Sequence, residues 1–247
     1  GLNIGTGKIT KKEMRGVTHH MLDVVSPKRQ YTASQYVQST RKICSSLLQK
    51  TRIPIIVGGT GFYIDSLVGR ISLPDVAPNK AMRLRLAKKS LSQLFTMLKK
   101  LDPARAKTLS SPSERNNKVR IIRALEIASV LGKVPRYKDN SELDTLWIGV
   151  APADAELRER INKRLRERIK AGMVKEAKRL HAAGVSYKRM RELGLEYRSL
   201  ARHLQGEITL AQMEKELQSA IWRYARKQIG SWNGHSSIMW CRTHYNR

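Results

Sequence analysis

At 247 residues the chain has room for one large domain, or for a core carrying one insertion, with a buried interior. Its 48 Lys and Arg face 20 acidic residues, and a net charge of +28 repels itself unless a polyanion is near: nucleic acid first, an anionic membrane surface second, a merely solvated basic surface as the bland alternative. Two cysteines with no CxxC pair and no Cys/His cluster argue against a zinc site or a disulfide framework and suit a reducing cytoplasm, while no apolar run reaches membrane-helix length.

Residues 1–30 read as loop. Asn3-Ile4-Gly5-Thr6-Gly7-Lys8 looks like a phosphate loop but fails its pattern, with Leu2 where Gly belongs, Ile9 where Ser or Thr belongs, and no strand before it. Opening on Gly1, the chain begins as if inside a motif, so a truncated N-terminus is expected. Residues 34–50 carry a helical stripe of Tyr36, Val37, Ile43, Leu47 and Leu48, with Ser34 as cap. Ile53–Val57 is a continuous apolar run ending in Gly58-Gly59, the pattern of a buried parallel strand, and Thr60–Val68 follows as helix. That rhythm predicts a doubly wound α/β core.

From Pro74 to about Asn140 helical patterns take over, at 79–100, 103–109 and 116–131, with breaks at Pro74, Pro78, Pro103, Ser110–Ser113 and Pro135. This stretch is the expected insertion, leaving 1–73 and 141–247 as core. Leu146–Val150 predicts another buried strand, in the same sheet as residues 53–57. Asp154 is placed to cap a helix with Leu157, Ile161, Leu165 and Ile169 on one face. Over 157–181, read as one helix, ten Lys and Arg outnumber Glu159, Glu167 and Glu176. A last long helix spans about 209–231, before a short strand at Ile238–Trp240. No internal repeat is evident.

Three places are chemically suggestive. Val57-Gly58-Gly59-Thr60-Gly61-Phe62-Tyr63 sits where a strand turns into a helix, so bare glycine backbone can approach an anion and Thr60 adds a hydroxyl; a tight turn needing small residues explains it equally well. Arg120 and Arg123 lie at i,i+3, a pair of guanidinium forks suited to phosphate or base edges, or else solvated or bridged to Glu126. Arg223-Tyr224-Ala225-Arg226-Lys227-Gln228, flanked by Trp222 and Trp232, interleaves cations with aromatics, as single-stranded RNA binding favours; a core role is the commoner fate of Trp.

The ordered set of motifs resembles the bacterial tRNA dimethylallyltransferases, also called tRNA isopentenyltransferases. The matching stretches are Gly1–Lys8, His19-His20-Met21-Leu22-Asp23, Ile53–Tyr63, Arg120–Glu126, Glu192-Leu193-Gly194-Leu195 and Arg223–Gln228, which together span nearly the whole chain. The resemblance implies a P-loop-type parallel α/β core with a helical insertion, the two contacting a tRNA anticodon stem-loop. It implies transfer of a dimethylallyl group from dimethylallyl diphosphate to N6 of adenine-37, with Mg2+ helping the diphosphate leave. It places Thr60 at the reacting centre, with Gly58 and Gly59 in the diphosphate turn. It assigns tRNA contacts to Arg83, to Val119, Arg120, Ile121, Ile122 and Arg123, to Arg191, Glu192, Leu193, Gly194, Leu195 and Glu196, and to Arg226, Lys227, Gln228 and Ile229. A cytoplasmic monomer with no membrane attachment goes with it.

The departures are specific. The family opens with a GPTASGKS-type P-loop and a DSxQxYR motif whose Asp is the proposed general base; neither lies in these residues, so the P-loop strand and helix are expected to be missing here. Gln228-Ile229-Gly230-Ser231-Trp232 is one residue longer than the family's Gln-x-Thr-Trp, which leaves the role of Trp232 open, and Leu195 stands in place of a common Tyr. Two other readings stand beside the transferase: a non-catalytic basic RNA-binding protein, and a nucleotide kinase relative with the same core.

Overall fold

The computed structural model describes residues 1–71, 73–109, 115–135 and 143–241. The chain forms two compact units, Gly1–Leu67 with Leu143–Arg247, and Val68–Glu142. The Ser110–Ser113 break and a boundary at 140/141 fall outside the described residues.

In the first unit, α1 (Ala33–Leu48) is capped by Thr32, one position outside the helix, and not by Ser34. The Thr32 hydroxyl accepts from Gln35 N–H while the Gln35 side chain returns to the Thr32 N–H, a reciprocal capping box. Gly58–Thr60 leads into α2 (Gly61–Leu67). Later elements are β1 (Trp147–Val150), α7 (Asp154–Lys170), α8 (Met173–Ala182), α9 (Tyr187–Glu192), α10 (Leu195–Leu204), α11 (Leu210–Trp232) and β2 (Ile238–Cys241). The core lies among α7 to α11, where Ile161, Leu165, Met173, Ala177, Met190, Tyr197, Leu200, Met213, Leu217 and Ile221 are buried together. β1 and β2 pair in parallel, Trp147 opposite Ile238 and Val150 opposite Cys241, with the helices between them forming the crossover that parallel pairing requires.

Several expectations change. Ile53–Val57 forms no strand: the segment has no ladder partner among the described residues, and Ile53, Ile55 and Val57 are 86%, 84% and 91% exposed. An aliphatic run becomes a parallel strand only when neighbours satisfy its backbone and cover both faces, and β1 pairs here with β2 alone. Residues 53–57 and 146–150 therefore share no sheet. The helix expected over 157–181 is two, because Gly172, at φ +99, takes the left-handed conformation that ends α7. Asp154 is not the cap of α7; it is the first helical residue, after Ala153, and its carboxylate serves the positive end of the helix dipole.

The glycines of Asn3–Lys8 have a packing reason. The backbone N–H groups of Asn3, Ile4 and Gly5 all donate to the Glu176 carboxylate, at 3.0, 2.9 and 3.0 Å, and Tyr197 OH donates to it at 2.6 Å. A Cβ on Gly5 would stand 2.6 Å from the Tyr197 ring, and one on Gly7, already at φ +61, 1.5 Å from Arg168 Nη2. The cradle that resembles a phosphate loop is filled by an internal carboxylate.

The second unit contains α3 (Lys80–Ala87), α4 (Leu91–Leu101), α5 (Pro103–Thr108) and α6 (Lys118–Leu131). The helix expected over 79–100 is interrupted because Ser90 caps α4 in a capping box with Gln93. Leu86, Leu94, Leu98, Leu109, Ile121 and Leu125 form its core. Buried Asp102 caps α5 by accepting from Arg105 N–H, and its other oxygen accepts from Val134 N–H.

Candidate active site and nucleic-acid interface

In the first unit, the turn Gly58-Gly59-Thr60 meets one stripe of α11. Tyr224, Gln228 and Trp232 recur every four residues and so project on one side of the helix. Tyr224 OH lies 3.2 Å from Thr60 Oγ1. The Gln228 amide occupies the space a Cβ on Gly59 would need, its Nε2 2.6 Å from that position. Trp232 donates its indole N–H to Gly59 O at 3.1 Å, and its ring packs beside Gly61. Trp232 also touches Trp147 and His235, with centroids 5.6 and 5.3 Å apart, and His235 Nε2 stands 3.5 Å from Asp65 Oδ1. The extra residue before Trp232 thus leaves its ring on the glycine turn, as a packing and anchoring group. Gly58 and Thr60 are exposed.

Beside this stripe α11 also carries Arg226 and Lys227. Arg226 pairs with Asp154 and lies over the Trp222 ring at 5.9 Å. Arg158 covers the same ring at 5.1 Å, so Trp222 serves cation–π contacts. Lys227 is exposed and Ile229 half-buried.

Arg191–Glu196 forms the junction of α9 and α10. Gly194 turns the chain at φ +134, a conformation that favours glycine. Leu193 and Leu195 pack on the core. Arg191 pairs with Glu207, Glu192 with Arg189 at 3.0 Å, and Glu196 with Arg168 at 3.8 Å.

In the second unit, Arg83 and Arg123 converge on Glu126, whose side chain is 1% exposed. Arg83 donates through Nε and Nη2, at 2.9 and 2.7 Å. Arg123 donates to Glu126 at 2.5 Å and to Val76 O at 2.9 Å, and Asn79 N–H donates to Glu126 at 2.5 Å. Of the two readings of the arginine pair, bridging to Glu126 describes Arg123. Val119 and Arg120 are exposed, whereas Ile121 and Ile122 are buried, so within Val119–Arg123 the outward groups are Val119, Arg120 and the flank of Arg123.

Burial alone would raise the Glu126 pKa, but the hydrogen bonds from Arg83, Arg123 and Asn79 outweigh it and hold the carboxyl at about 2. A carboxyl depressed on folding adds stability above its unfolded pKa, and that stability is lost as pH falls toward the folded value. The depression corresponds to about 3 kcal/mol at neutral pH. Glu126→Gln should therefore lower stability by roughly that amount at pH 7, with the difference shrinking between about pH 4.5 and pH 2. Urea melts of both proteins across that range check it; a pH-independent difference would mean the charge of Glu126 is irrelevant.

In sequence Glu176 reads as one offsetting charge on a basic helix. The available signal was its place on an apolar stripe, between Met173 and Ala177 and one turn before Leu180. In sequence Tyr224 is only an aromatic among cations, since nothing local says it meets Thr60.

The IPP transferase family model matches residues 1–235. The chain belongs to the IPP transferase family. Among its relatives, a protein named tRNA dimethylallyltransferase 2 from Citrifermentans bemidjiense is 37% identical over 228 residues, covering 92% of this chain and 72% of that protein. A tRNA dimethylallyltransferase of Caldanaerobacter subterraneus subsp. tengcongensis is 33% identical over 251 residues, covering 97% and 78%. The crystal structure of the full-length tRNA isopentenylpyrophosphate transferase from Bacillus halodurans superposes with a TM-score of 0.69 at 27% identity, covering 98% of this chain and 77% of that one. The Thr60 turn and the α11 stripe bring two hydroxyls, an amide and an indole N–H to glycine backbone. No helix among the described residues is long and apolar enough to cross a membrane.

Proposed function

We propose that the protein transfers a dimethylallyl group from dimethylallyl diphosphate to N6 of adenine-37, beside the anticodon of tRNA. The observation that carries this reading is the Gly58-Gly59-Thr60 turn set against Tyr224, Gln228 and Trp232 in a chain of the IPP transferase family. The adenine amine attacks the allylic carbon, the carbon–oxygen bond to diphosphate breaks, and the diphosphate leaves with the bonding pair while a base takes the amine proton. Thr60 offers one hydroxyl to the developing charge, and Gly58 and Gly59 let backbone come close.

The remaining diphosphate donors and the base belong to a P-loop and a DSxQxYR segment that these residues do not contain, so residues 1–247 on their own bind RNA without turning over. Among the described residues no group of three or more His, Cys, Asp and Glu stands together; a Mg2+ ion that helps the diphosphate leave would take most of its ligands from phosphate oxygens and water. The net +28 charge supplies attraction for an anticodon stem-loop, shared between the exposed cations of the first unit and the helical second unit. The protein works as a cytoplasmic monomer. The deciding assay is transfer of labelled dimethylallyl to an adenine-37 stem-loop by the gene product as the cell makes it. Transfer to a stem-loop with guanine-37, or RNA binding without any transfer, would overturn the reading, the latter in favour of a non-catalytic RNA-binding protein.

Binding of the stem-loop should weaken linearly in log affinity against log salt. Arg120→Ala should reduce the magnitude of that slope by about 0.9, the worth of one phosphate contact. Arg120 is chosen because it is exposed, whereas Arg123→Ala would also disturb buried Glu126. A titration with an unchanged slope would remove Arg120 from the backbone contacts.

A further inference from the structure

Two of the three stripe residues on α11 meet the Gly59 backbone: Trp232 hydrogen-bonds Gly59 O and Gln228 fills the space a Cβ on Gly59 would need. Tyr224 instead meets the one side-chain functional group of the turn, with its hydroxyl 3.2 Å from Thr60 Oγ1. Both residues are exposed, so this contact contributes little to folding, because water would satisfy either hydroxyl. Its consequence is directional. A lone Thr hydroxyl rotates freely and points its proton wherever an acceptor happens to be. A phenol, with a pKa near 10, is a stronger acid and better donor than an alkyl alcohol. When Tyr224 donates, Thr60 Oγ1 is the acceptor, its own proton must point elsewhere, and an accepting hydroxyl becomes a stronger donor in turn.

We propose that Tyr224 is a positioning residue for Thr60: its O–H donates to Thr60 Oγ1 and directs the Thr60 proton outward, toward the oxygen of the departing diphosphate. The proposal rests on the reading of Thr60 as a group at the reacting centre. It assigns to Tyr224 the preorganisation that makes a donor useful in the transition state without reorientation at the moment of reaction.

The test is a double-mutant cycle on transfer to the adenine-37 stem-loop, using the gene product as the cell makes it. Tyr224→Phe removes the hydroxyl and keeps the ring; Thr60→Val removes the other hydroxyl and keeps the shape. Tyr224→Phe should lower kcat about threefold to tenfold, the worth of one neutral hydrogen bond, with KM for the stem-loop and the melting temperature unchanged. In the Thr60→Val background the same change should have no further effect. Losses that multiply independently, or a silent Tyr224→Phe beside a damaging Thr60→Val, would sink this proposal and leave the Thr60 reading standing. A raised KM with intact kcat would make Tyr224 an RNA contact and overturn its positioning role. A silent Thr60→Val, or a gene product that transfers nothing, would take down the Thr60 reading and this proposal together.

Discussion

Incubated with labelled dimethylallyl diphosphate and an adenine-37 stem-loop, residues 1–247 alone should bind the RNA and transfer nothing measurable. The reaction asks for two things at once: donors preorganised around the oxygens of a leaving diphosphate, and a base for the amine proton. The turn at Gly58–Thr60 contributes one side-chain hydroxyl, and in the other glycine-rich stretch, Asn3–Lys8, the amides of Asn3, Ile4 and Gly5 are taken by Glu176 and those of Gly7 and Lys8 by backbone carbonyls. Removing one oxyanion donor typically costs about 2.7–4 kcal/mol of barrier, or roughly 10²–10³ in rate. A site lacking most of its donors and its base should fall further, below detection. The comparison is with the same chain joined to a P-loop and DSxQxYR segment. Robust turnover by residues 1–247 would show that the chemistry resides in them, and no turnover by the correctly folded joined protein would count against the transferase reading itself.

Glu176→Ala should cost about 3–5 kcal/mol of stability, because removing one member of a buried charged network strands its partners. The carboxylate is buried and accepts from the N–H groups of Asn3, Ile4 and Gly5 and from Tyr197 OH, itself 1% exposed. Each stranded donor costs about 1–3 kcal/mol where water cannot reach it, less where the loop can lift away. Glu176→Gln should lose less, about 2 kcal/mol, because one oxygen remains while an NH2 group faces donors. Burial would raise the Glu176 pKa, but the hydrogen bonds of Gly5, Tyr197, Ile4 and Asn3 prevail and lower it. This stabilisation is therefore present at neutral pH and fades as pH falls through the depressed folded value. Denaturant melts give the magnitude, and hydrogen exchange gives the location, with the amides of residues 3–5 losing protection first. An Ala variant with the stability and exchange pattern of the parent would show that the loop is held by something else.

The sequence by itself determined the helices, because their signals are local. Apolar stripes at helical spacing act within a few residues, which is why α1, α6 and α11 lie close to where periodicity puts them, although the stretch that reads as one helix over 157–181 is divided at Gly172. It also determined family membership, through motifs whose order is legible without any contact. What only the tertiary structure decided are relations between distant positions. Ile53–Val57 reads as a buried strand, yet whether it is one depends on neighbouring strands, and the described residues give it none. Asn3–Lys8 reads as a faulty phosphate loop, yet its amides are taken by a carboxylate some 170 positions away. Arg123 reads as a phosphate fork or, more commonly for such a pair, as a side chain solvated or bridged to Glu126, until Glu126 is seen to be buried beneath it. Thr60 and Tyr224, separated by 164 positions, meet only because α11 packs across the glycine turn. A buried carboxylate or a hydrogen-bonded hydroxyl is specified by burial and approach, quantities that no local pattern of residues encodes.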